Sequence, residues 1–257
     1  MKKLKIKNRQ GQEIVVIVDK VENQKGLAFV AHGFGGFKDQ PHIETMAKAF
    51  VDNGYTAIRF DAVNTFGENG GNVENANITN YLEDLEDVIN WTKDKDWYQE
   101  PFCLAGHSLG SLTIAIYSEL NSGKVMALAP TSTVVSGESY LNNLGKEELA
   151  ERNETGWQIK ESSSIPGLMK KLRWPQFERE ILKYDILVDS DKLNMPVLLV
   201  VGSEDDSTPP EGQKILYEKL NTDKEFHIIE GSEHTFRDEE HLKQLYNIFD
   251  KWIKNKL

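Results

Sequence analysis

The stretch that decides the fold is an apolar run that ends in a glycine-rich turn, Phe102-Cys103-Leu104-Ala105-Gly106-His107-Ser108-Leu109-Gly110. Residues 101–105 predict a buried strand, and residues 108–120 predict a helix that begins at the serine. Strand and helix can approach each other this closely because Gly106 and Gly110 lack side chains. The tight turn is expected to strain the backbone of Ser108 and to push its hydroxyl out at the carboxyl end of the strand.

Short apolar runs rich in Val and Ile alternate with helix-like stretches on both sides of this turn. The runs that predict strands are residues 13–18, 26–31, 55–60, 102–105, 125–129, 197–201 and 226–229. The stretches that predict helices are residues 41–52, 78–93, 108–120, 211–220 and 238–254. Strands that are apolar throughout are typical of a parallel sheet covered on both faces, and the alternation predicts right-handed crossovers. We therefore expect an α/β fold.

One segment interrupts the alternation. Residues 131–190 are polar, with helix-like pieces at 144–152, 166–172 and 176–182, and they are too long for an ordinary connection. We expect them to form a cap insertion over one end of a core made of residues 1–130 and 191–257. Trp157 and Trp174 in this insertion either line a substrate pocket or form the small core that such an insertion needs.

Composition narrows the classes of partner. The 257 residues include 30 Lys and Arg against 41 Asp and Glu, a net charge of −11, which disfavours nucleic acid and anionic lipid as partners. No apolar run approaches the roughly 20 residues of a membrane span, and no signal peptide follows the basic start. Cys103 is the single cysteine, so no intrachain disulfide can form, and we expect a cytoplasmic protein. Nothing calls for a metal, a nucleotide or a flavin, so no cofactor is expected, and a homodimer is left open.

A second glycine-rich loop, Ala31-His32-Gly33-Phe34-Gly35-Gly36, follows the strand predicted at residues 26–31. It lacks the G-x-G-x-x-G spacing of a dinucleotide site. Taken together with Ser108, the loop predicts an oxyanion hole whose donors are the backbone N–H groups of Phe34 and Leu109. His32 is expected to be structural, with its ring bonded to backbone beneath the loop.

A serine hydroxyl is a weak nucleophile that needs a base, and the base needs a third group to orient it. Of the six histidines, His234 follows the strand predicted at residues 226–229, at the same sheet edge as Ser108. The other histidines lie within predicted elements (His42, His227 and His241), directly before the serine (His107), or in the glycine-rich loop, where His32 is expected to be structural. His234 is therefore the predicted base.

The orienting acid is expected in the loop after the strand at residues 197–201. Three acids compete there, and Asp205 is favoured over Asp206 and Glu204 because it lies four residues before Pro209, where the next helix begins to be specified. A metal site at these acids is disfavoured because no histidine has ligand spacing to them. The predicted catalytic residues thus follow the chain order Ser108, Asp205, His234.

With these motifs in this order, the sequence resembles the α/β-hydrolase superfamily over nearly the whole chain apart from the insertion. Residues 32–36 look like its oxyanion loop, 106–110 like its nucleophile elbow and 231–236 like its histidine loop. The resemblance implies the α/β-hydrolase fold, a mostly parallel eight-stranded sheet flanked by helices with a small inserted cap.

Within the superfamily, residues 32–61 are similar to bacterial cinnamoyl and feruloyl esterases and related carboxylesterases, which carry a short cap between the sixth and seventh strands. The chain departs from them after Asp61, where the Gly-x-Gly-x-Ser pattern that often follows in that family is absent. By resemblance, His42 would lie near the oxyanion loop and touch substrate.

The predicted activity is that of a serine carboxylesterase that hydrolyses small acyl or aryl esters, hydroxycinnamoyl esters among them, through an acyl-enzyme. The same groups cleave other bonds, and a fold does not choose among them. Thioesterase, monoacylglycerol lipase and aminopeptidase-like activities therefore stay open, as does a non-catalytic small-molecule sensor. The basic cluster of Lys170, Lys171 and Arg173 is interpreted as a solvated helix face.

Overall fold

The computed structural model describes residues 1–162 and 165–257. Within them the chain forms ten strands: β1 Lys2–Lys7, β2 Glu13–Asp19, β3 Gly26–Ala31, β4 Tyr55–Asp61, β5 Phe102–His107, β6 Val125–Thr131, β7 Trp157–Glu161, β8 Met169–Arg173, β9 Val197–Gly202 and β10 Lys224–Ile229. Eight of these build one sheet in the order β1-β2-β4-β3-β5-β6-β9-β10. The pairs β1–β2 and β2–β4 are antiparallel and the rest are parallel, which confirms the predicted α/β-hydrolase sheet.

Helices cover both faces of this sheet. They are α1 Pro41–Asp52, α2 Ile78–Thr92, α3 Leu109–Leu120, α4 Gly137–Asn142, α5 Lys146–Thr155, α6 Trp174–Ile181, α7 Pro210–Lys219 and α8 Glu239–Lys256. Helices α1 and α8 bury apolar side chains against one face, and α2, α3 and α7 do so against the other. The five helices predicted outside residues 131–190 begin and end within two residues of their expected bounds. No described helix has both the length and the apolar character needed to cross a bilayer.

Strand β1 was not predicted from the sequence. It is an edge strand that pairs with β2 alone, and its lysines alternate with Leu4 and Ile6. Only Ile6 among its side chains is fully buried. A strand with one partner and one covered face needs no continuous apolar run, so the signal that marked the central strands is absent.

The predicted insertion lies between β6 and β9 and contains α4, α5, β7, β8 and α6; residues 163 and 164 of it lie outside the described residues. The helix expected at residues 166–172 is wrong, because Met169–Arg173 is strand β8, paired antiparallel with β7. Burial alternates along β8, with Leu172 buried between exposed neighbours, which is the period of a strand. The remaining pieces at 144–152 and 176–182 coincide closely with α5 and α6.

Candidate active site

Ser108 lies at the junction of β5 and α3 with φ 54° and ψ −119°, a strained conformation for a residue that is not glycine. Neighbouring backbone approaches so closely that a Cβ on Gly110 would lie 2.6 Å from the carbonyl oxygen of Ala31. A Cβ on Gly33 would lie 2.9 Å from the Cβ of Ser108, so the loop after β3 presses against the turn. The glycines at these positions are therefore a steric requirement of the turn.

The two predicted oxyanion donors belong to the first turn of α3 and to the loop after β3, which touches Ser108 through Gly33. Leu109 is the first residue of α3, where a backbone N–H has no partner inside the helix. Phe34 belongs to the loop after β3. Among the described residues, neither its N–H nor that of Leu109 donates to a backbone carbonyl of a loop, turn or helix cap. Both N–H groups and the positive end of α3 are thus available to an anion beside the hydroxyl.

His32 fixes the loop from below, as predicted. Its Nδ1 lies 2.8 Å from the carbonyl oxygen of Gly33, and its Nε2 accepts the backbone N–H of Ala62 at 3.1 Å. Burial lowers the pKa of the His32 ring, so the ring stays neutral, with the proton on Nδ1.

The acid and the base lie in the loops that follow β9 and β10. Nδ1 of His234 is 2.8 Å from Oδ2 and 2.9 Å from Oδ1 of Asp205. The side chains of Asp206 and Glu204 are exposed, whereas Asp205 is buried. Of the three acids that compete in the sequence, the geometry brings Asp205 to the imidazole.

Thr208, which the sequence reasoning did not single out, holds the carboxylate in place. Its backbone N–H and that of Ser207 donate to Oδ1 of Asp205 at 2.8 and 3.0 Å, and its hydroxyl donates to Oδ2 at 2.9 Å. Burial raises the pKa of Asp205, but the hydrogen bond and charge of His234, together with the Thr208 N–H, outweigh it and leave that pKa below its usual value. The carboxylate is therefore ionised and can hold a proton on Nδ1 of His234.

A row of three histidine rings supports the loop that carries His234. Nε2 of His107 lies 2.7 Å from the carbonyl oxygen of His234, to which its N–H donates a hydrogen bond. The His107 ring lies 4.6 Å from the ring of His234 and 4.3 Å from that of His42. Burial lowers the pKa of His107 well below its usual value and that of His42 to about 3. Both stay neutral, and His42 is buried in this row, behind His107.

Ser108 and His234 lie at the same edge of the sheet, connected through His107. The Ser108 hydroxyl is half-buried and makes no hydrogen bond with the residues described, His234 included. Nucleophile–base hydrogen bonds are often long without substrate and tighten in the complex. The arrangement thus presents a free hydroxyl, an oriented imidazole and two free N–H groups, which are the parts that acyl transfer needs.

The two predicted tryptophans lie in the insertion. Trp174 is fully buried, donates its indole N–H to Asn153 and packs under the guanidinium of Arg152, so it belongs to the core of the insertion. Trp157 pairs with Arg173 on the outward face of the β7–β8 hairpin, with Lys171 Nζ 4.0 Å from its ring. Phe177 of α6, which the sequence did not point to, instead packs against Phe34 at 5.8 Å between ring centroids.

The sheet order, the strained serine turn and the loops around it define the class of protein: an α/β hydrolase. The chain belongs to the serine hydrolase family described as serine aminopeptidase, S33, whose model matches residues 22–169 and 180–241. An uncharacterized 31.7 kDa protein of Escherichia coli from the traX-finO intergenic region is 26% identical over an alignment of 225 residues. The match covers 76% of this chain and 77% of that protein.

Solved structures share the fold over nearly the whole chain. Est1E from Butyrivibrio proteoclasticus, determined with ferulic acid bound, superposes with a TM-score of 0.80 at 20% identity, covering 98% of each chain. A monoacylglycerol lipase from Paleococcus ferrophilus superposes with a TM-score of 0.74 at 20% identity, covering 95% of this chain and 99% of the lipase. Together with the family match, these neighbours support a hydrolase.

Proposed function

We propose that this hydrolase is a serine carboxylesterase that acts on small acyl or aryl esters. The observation that carries the proposal is the buried Asp205 carboxylate 2.8 Å from Nδ1 of His234, at the sheet edge where the strained turn exposes the free hydroxyl of Ser108. A carboxylate in this place holds the imidazole in the tautomer whose Nε2 accepts a proton.

In the proposed reaction, Oγ of Ser108 attacks the ester carbonyl while Nε2 of His234 takes the hydroxyl proton. The carbonyl π electrons move onto oxygen, and the N–H groups of Phe34 and Leu109 stabilise the resulting oxyanion. When the carbonyl re-forms, the bond to the alkoxide breaks and His234 returns the proton to the leaving alcohol. Water, deprotonated by His234, then attacks the acyl-enzyme and releases the acid and Ser108.

The aromatic wall beside the oxyanion loop supports aryl substrates. Phe34 packs against Phe177, and Phe177 packs against Tyr140 of α4 at 5.8 Å between ring centroids. Est1E, which shares the fold, was determined with ferulic acid bound. Hydroxycinnamoyl esters therefore belong in the substrate panel.

The test is hydrolysis of 4-nitrophenyl acetate, 4-nitrophenyl butyrate and methyl ferulate by the purified protein and its Ser108→Ala variant. Ser122→Ala is the matched control, since this serine lies past the far end of α3. We expect Ser108→Ala to lower kcat by about 10³-fold or more and the control to leave it unchanged. Equal turnover by Ser108→Ala and the wild type would remove Ser108 from the reaction.

The description of the family favours a second candidate, hydrolysis of peptides with a free N-terminus. Release of 4-nitroaniline from L-alanine and L-proline 4-nitroanilides tests it. Amide turnover that depends on Ser108 and exceeds ester turnover in kcat/KM would replace the esterase proposal with the peptidase one.

A further inference from the structure

Lys170 lies in strand β8 on the side of the hairpin that faces the sheet. Side chains alternate along a strand, so Lys170 shares its face with the buried Leu172, while Met169, Lys171 and Arg173 are exposed on the other face. The basic cluster interpreted from the sequence as one solvated face is therefore divided between two faces. Lys170 alone of its three members points inward.

The Lys170 side chain runs across the oxyanion loop. A Cβ on Gly35 would lie 2.7 Å from Cδ of Lys170, and Nζ of Lys170 lies 5.6 Å from the centre of the Phe34 ring. Phe34 is the residue whose N–H is proposed to bind the oxyanion. The Lys170 side chain therefore lies against the loop that carries this proposed donor.

No carboxylate among the described residues balances this ammonium group. Lys170 makes no ion pair within the two described ranges, and its partner across the hairpin is another lysine, Lys160. Lys38, the other lysine held at this loop, lies within 2.9 Å of oxygens of three carboxylates, those of Asp39, Asp61 and Glu68. Burial, and to a lesser extent the charge of Lys160, lowers the pKa of Lys170 to about 8.

An unpaired, half-buried ammonium group costs stability, and the ring of Phe34 offsets only part of that cost. Of the other charged groups of the hairpin, Glu161 accepts the backbone N–H of Gly167, Arg173 pairs with Glu74, and Lys171 lies over the ring of Trp157. Lys160, which pairs with Lys170 across the hairpin, is exposed and adds a second positive charge on the same face. An anion that enters beside the oxyanion loop would therefore find Lys170 as its uncompensated partner.

We propose that Lys170 is a specificity-determining residue that binds a carboxylate carried by the substrate, so that the preferred substrates are anionic esters. This inference rests on the proposed esterase function. A single ammonium group acts as a point charge and matches a single negative charge on the ester.

The experiment compares kcat/KM for two pairs of esters that differ in charge. In the first pair, 4-acetoxybenzoate carries a carboxylate on its leaving group and its methyl ester is the neutral counterpart. In the second pair, 4-nitrophenyl hydrogen adipate carries a carboxylate on its acyl group and 4-nitrophenyl hexanoate is the neutral counterpart. Lys170→Met keeps the apolar stem and removes the charge. Lys171→Met, on the opposite face of the same strand, is the matched control.

The measured quantity is the ratio of kcat/KM for the anionic ester to kcat/KM for the neutral ester. For at least one pair, we expect Lys170→Met to lower this ratio by about 10-fold or more, mainly through KM. The size follows because losing a hydrogen bond to a charged group weakens binding by about that factor. Lys171→Met leaves the ratio unchanged. In the wild type the ratio falls between pH 7 and pH 9 as Lys170 loses its proton, and in Lys170→Met this pH dependence disappears. The Tm of Lys170→Met is expected to equal or exceed that of the wild type.

The outcomes separate the two proposals. Hydrolysis of the neutral esters that depends on Ser108, with ratios that Lys170→Met does not change for either pair, overturns the role of Lys170 and leaves the esterase proposal standing. A Lys170→Met variant that loses both members of each pair equally, with a lowered Tm, also overturns the role of Lys170. If the wild type hydrolyses none of the four esters, both proposals are overturned.

Discussion

The substitution Asp205→Asn tests the orientation of His234 most sharply, because the contacts of the carboxylate decide which way an amide must point. Oδ1 of Asp205 accepts two backbone N–H groups, those of Ser207 and Thr208, at 3.0 and 2.8 Å. An asparagine must place its carbonyl oxygen there to keep these bonds. Its NH₂ group then occupies the position of Oδ2, which lies 2.8 Å from Nδ1 of His234.

An NH₂ group at that position donates to Nδ1 and so moves the ring proton to Nε2. The imidazole can then no longer accept the proton of Ser108. A wrong tautomer of this kind lowers kcat by about 10⁴-fold, or about 5 kcal/mol of transition-state stabilisation. Because both backbone bonds to Oδ1 are kept, we expect the fold to persist.

The assay is kcat for 4-nitrophenyl butyrate at pH 7.5, with Tm measured in parallel to separate lost chemistry from lost structure. Asp206→Asn is the control, because the side chain of Asp206 is exposed and accepts a hydrogen bond from the neighbouring Ser207 hydroxyl at 3.1 Å rather than from His234. We expect the control to keep wild-type kcat. A folded Asp205→Asn variant with more than about a tenth of wild-type kcat would refute the reasoning, and loss in Asp206→Asn instead would reassign the acid.

Three further substitutions test the fold that supports the site. Lys38→Met leaves the fully buried Asp61 carboxylate without its ammonium partner, so we expect the free energy of unfolding in urea to fall by about 3–5 kcal/mol. The control Lys48→Met removes an exposed lysine and should cost less than about 1 kcal/mol. Equal losses in the two variants would contradict the buried ion pair. Gly110→Ala drives a Cβ against the Ala31 carbonyl, so we expect lost activity and a lowered Tm, whereas Gly123→Ala, with open space around it, is neutral; an active Gly110→Ala would refute the steric requirement. Burial raises the pKa of Glu119 to about 7, so its contribution to stability is present below the unfolded pKa near 4.5 and is lost as pH rises through 7. Because Glu119 is partly exposed, solvent screening reduces the size of this effect. As pH rises from 5 to 8, we expect the stability of Glu119→Gln to increase relative to that of the wild type by about 1 kcal/mol, or about 2–4 °C in Tm. A difference in Tm between the two proteins that does not change with pH would contradict the raised pKa.

The central strands and the serine turn could be predicted because their signals are local. Burial on both faces leaves a continuous apolar run in strands such as β5, and the close approach of strand and helix requires glycine at 106 and 110. Strand β1 could not be predicted in this way, because a sheet edge with one partner permits alternating lysines. A strand can therefore be predicted from its sequence when both of its faces are buried, and it is harder to predict when one face is exposed.

The β7–β8 hairpin shows the consequence of predicting a helix where the chain forms a strand. Five residues of β8 fit a helix or a strand equally well, yet the choice decides the direction of each side chain. As a helix, the segment puts Lys170 beside Lys171 on solvent. As a strand, it turns Lys170 inward over Gly35 and leaves Lys171 against Trp157.

The sequence favoured Asp205 among the three acids after β9 by its position before Pro209, but that position does not explain why its side chain turns inward. Which carboxylate turns inward depends on the loop conformation, and that conformation is fixed by the N–H and hydroxyl of Thr208 bonding to Asp205. The spacing Asp205-x-x-Thr208 is the one local sign that could have pointed to this arrangement. His234 could be predicted because it follows β10 at the carboxyl edge of the sheet, whereas His32, which follows β3 at the same edge, belongs to the glycine-rich loop.

The proposed reaction requires the imidazole of His234 to activate the hydroxyl of Ser108, although no hydrogen bond joins these two side chains in the described part of the chain. The direct measurement is peptide mass mapping after reaction with a fluorophosphonate, for the wild type and for His234→Ala. We predict stoichiometric phosphonylation of the wild type on the peptide that contains Ser108, and almost none in a folded His234→Ala variant. Labelling of Ser108 at the same rate in both proteins, or labelling of another serine instead, would contradict the account.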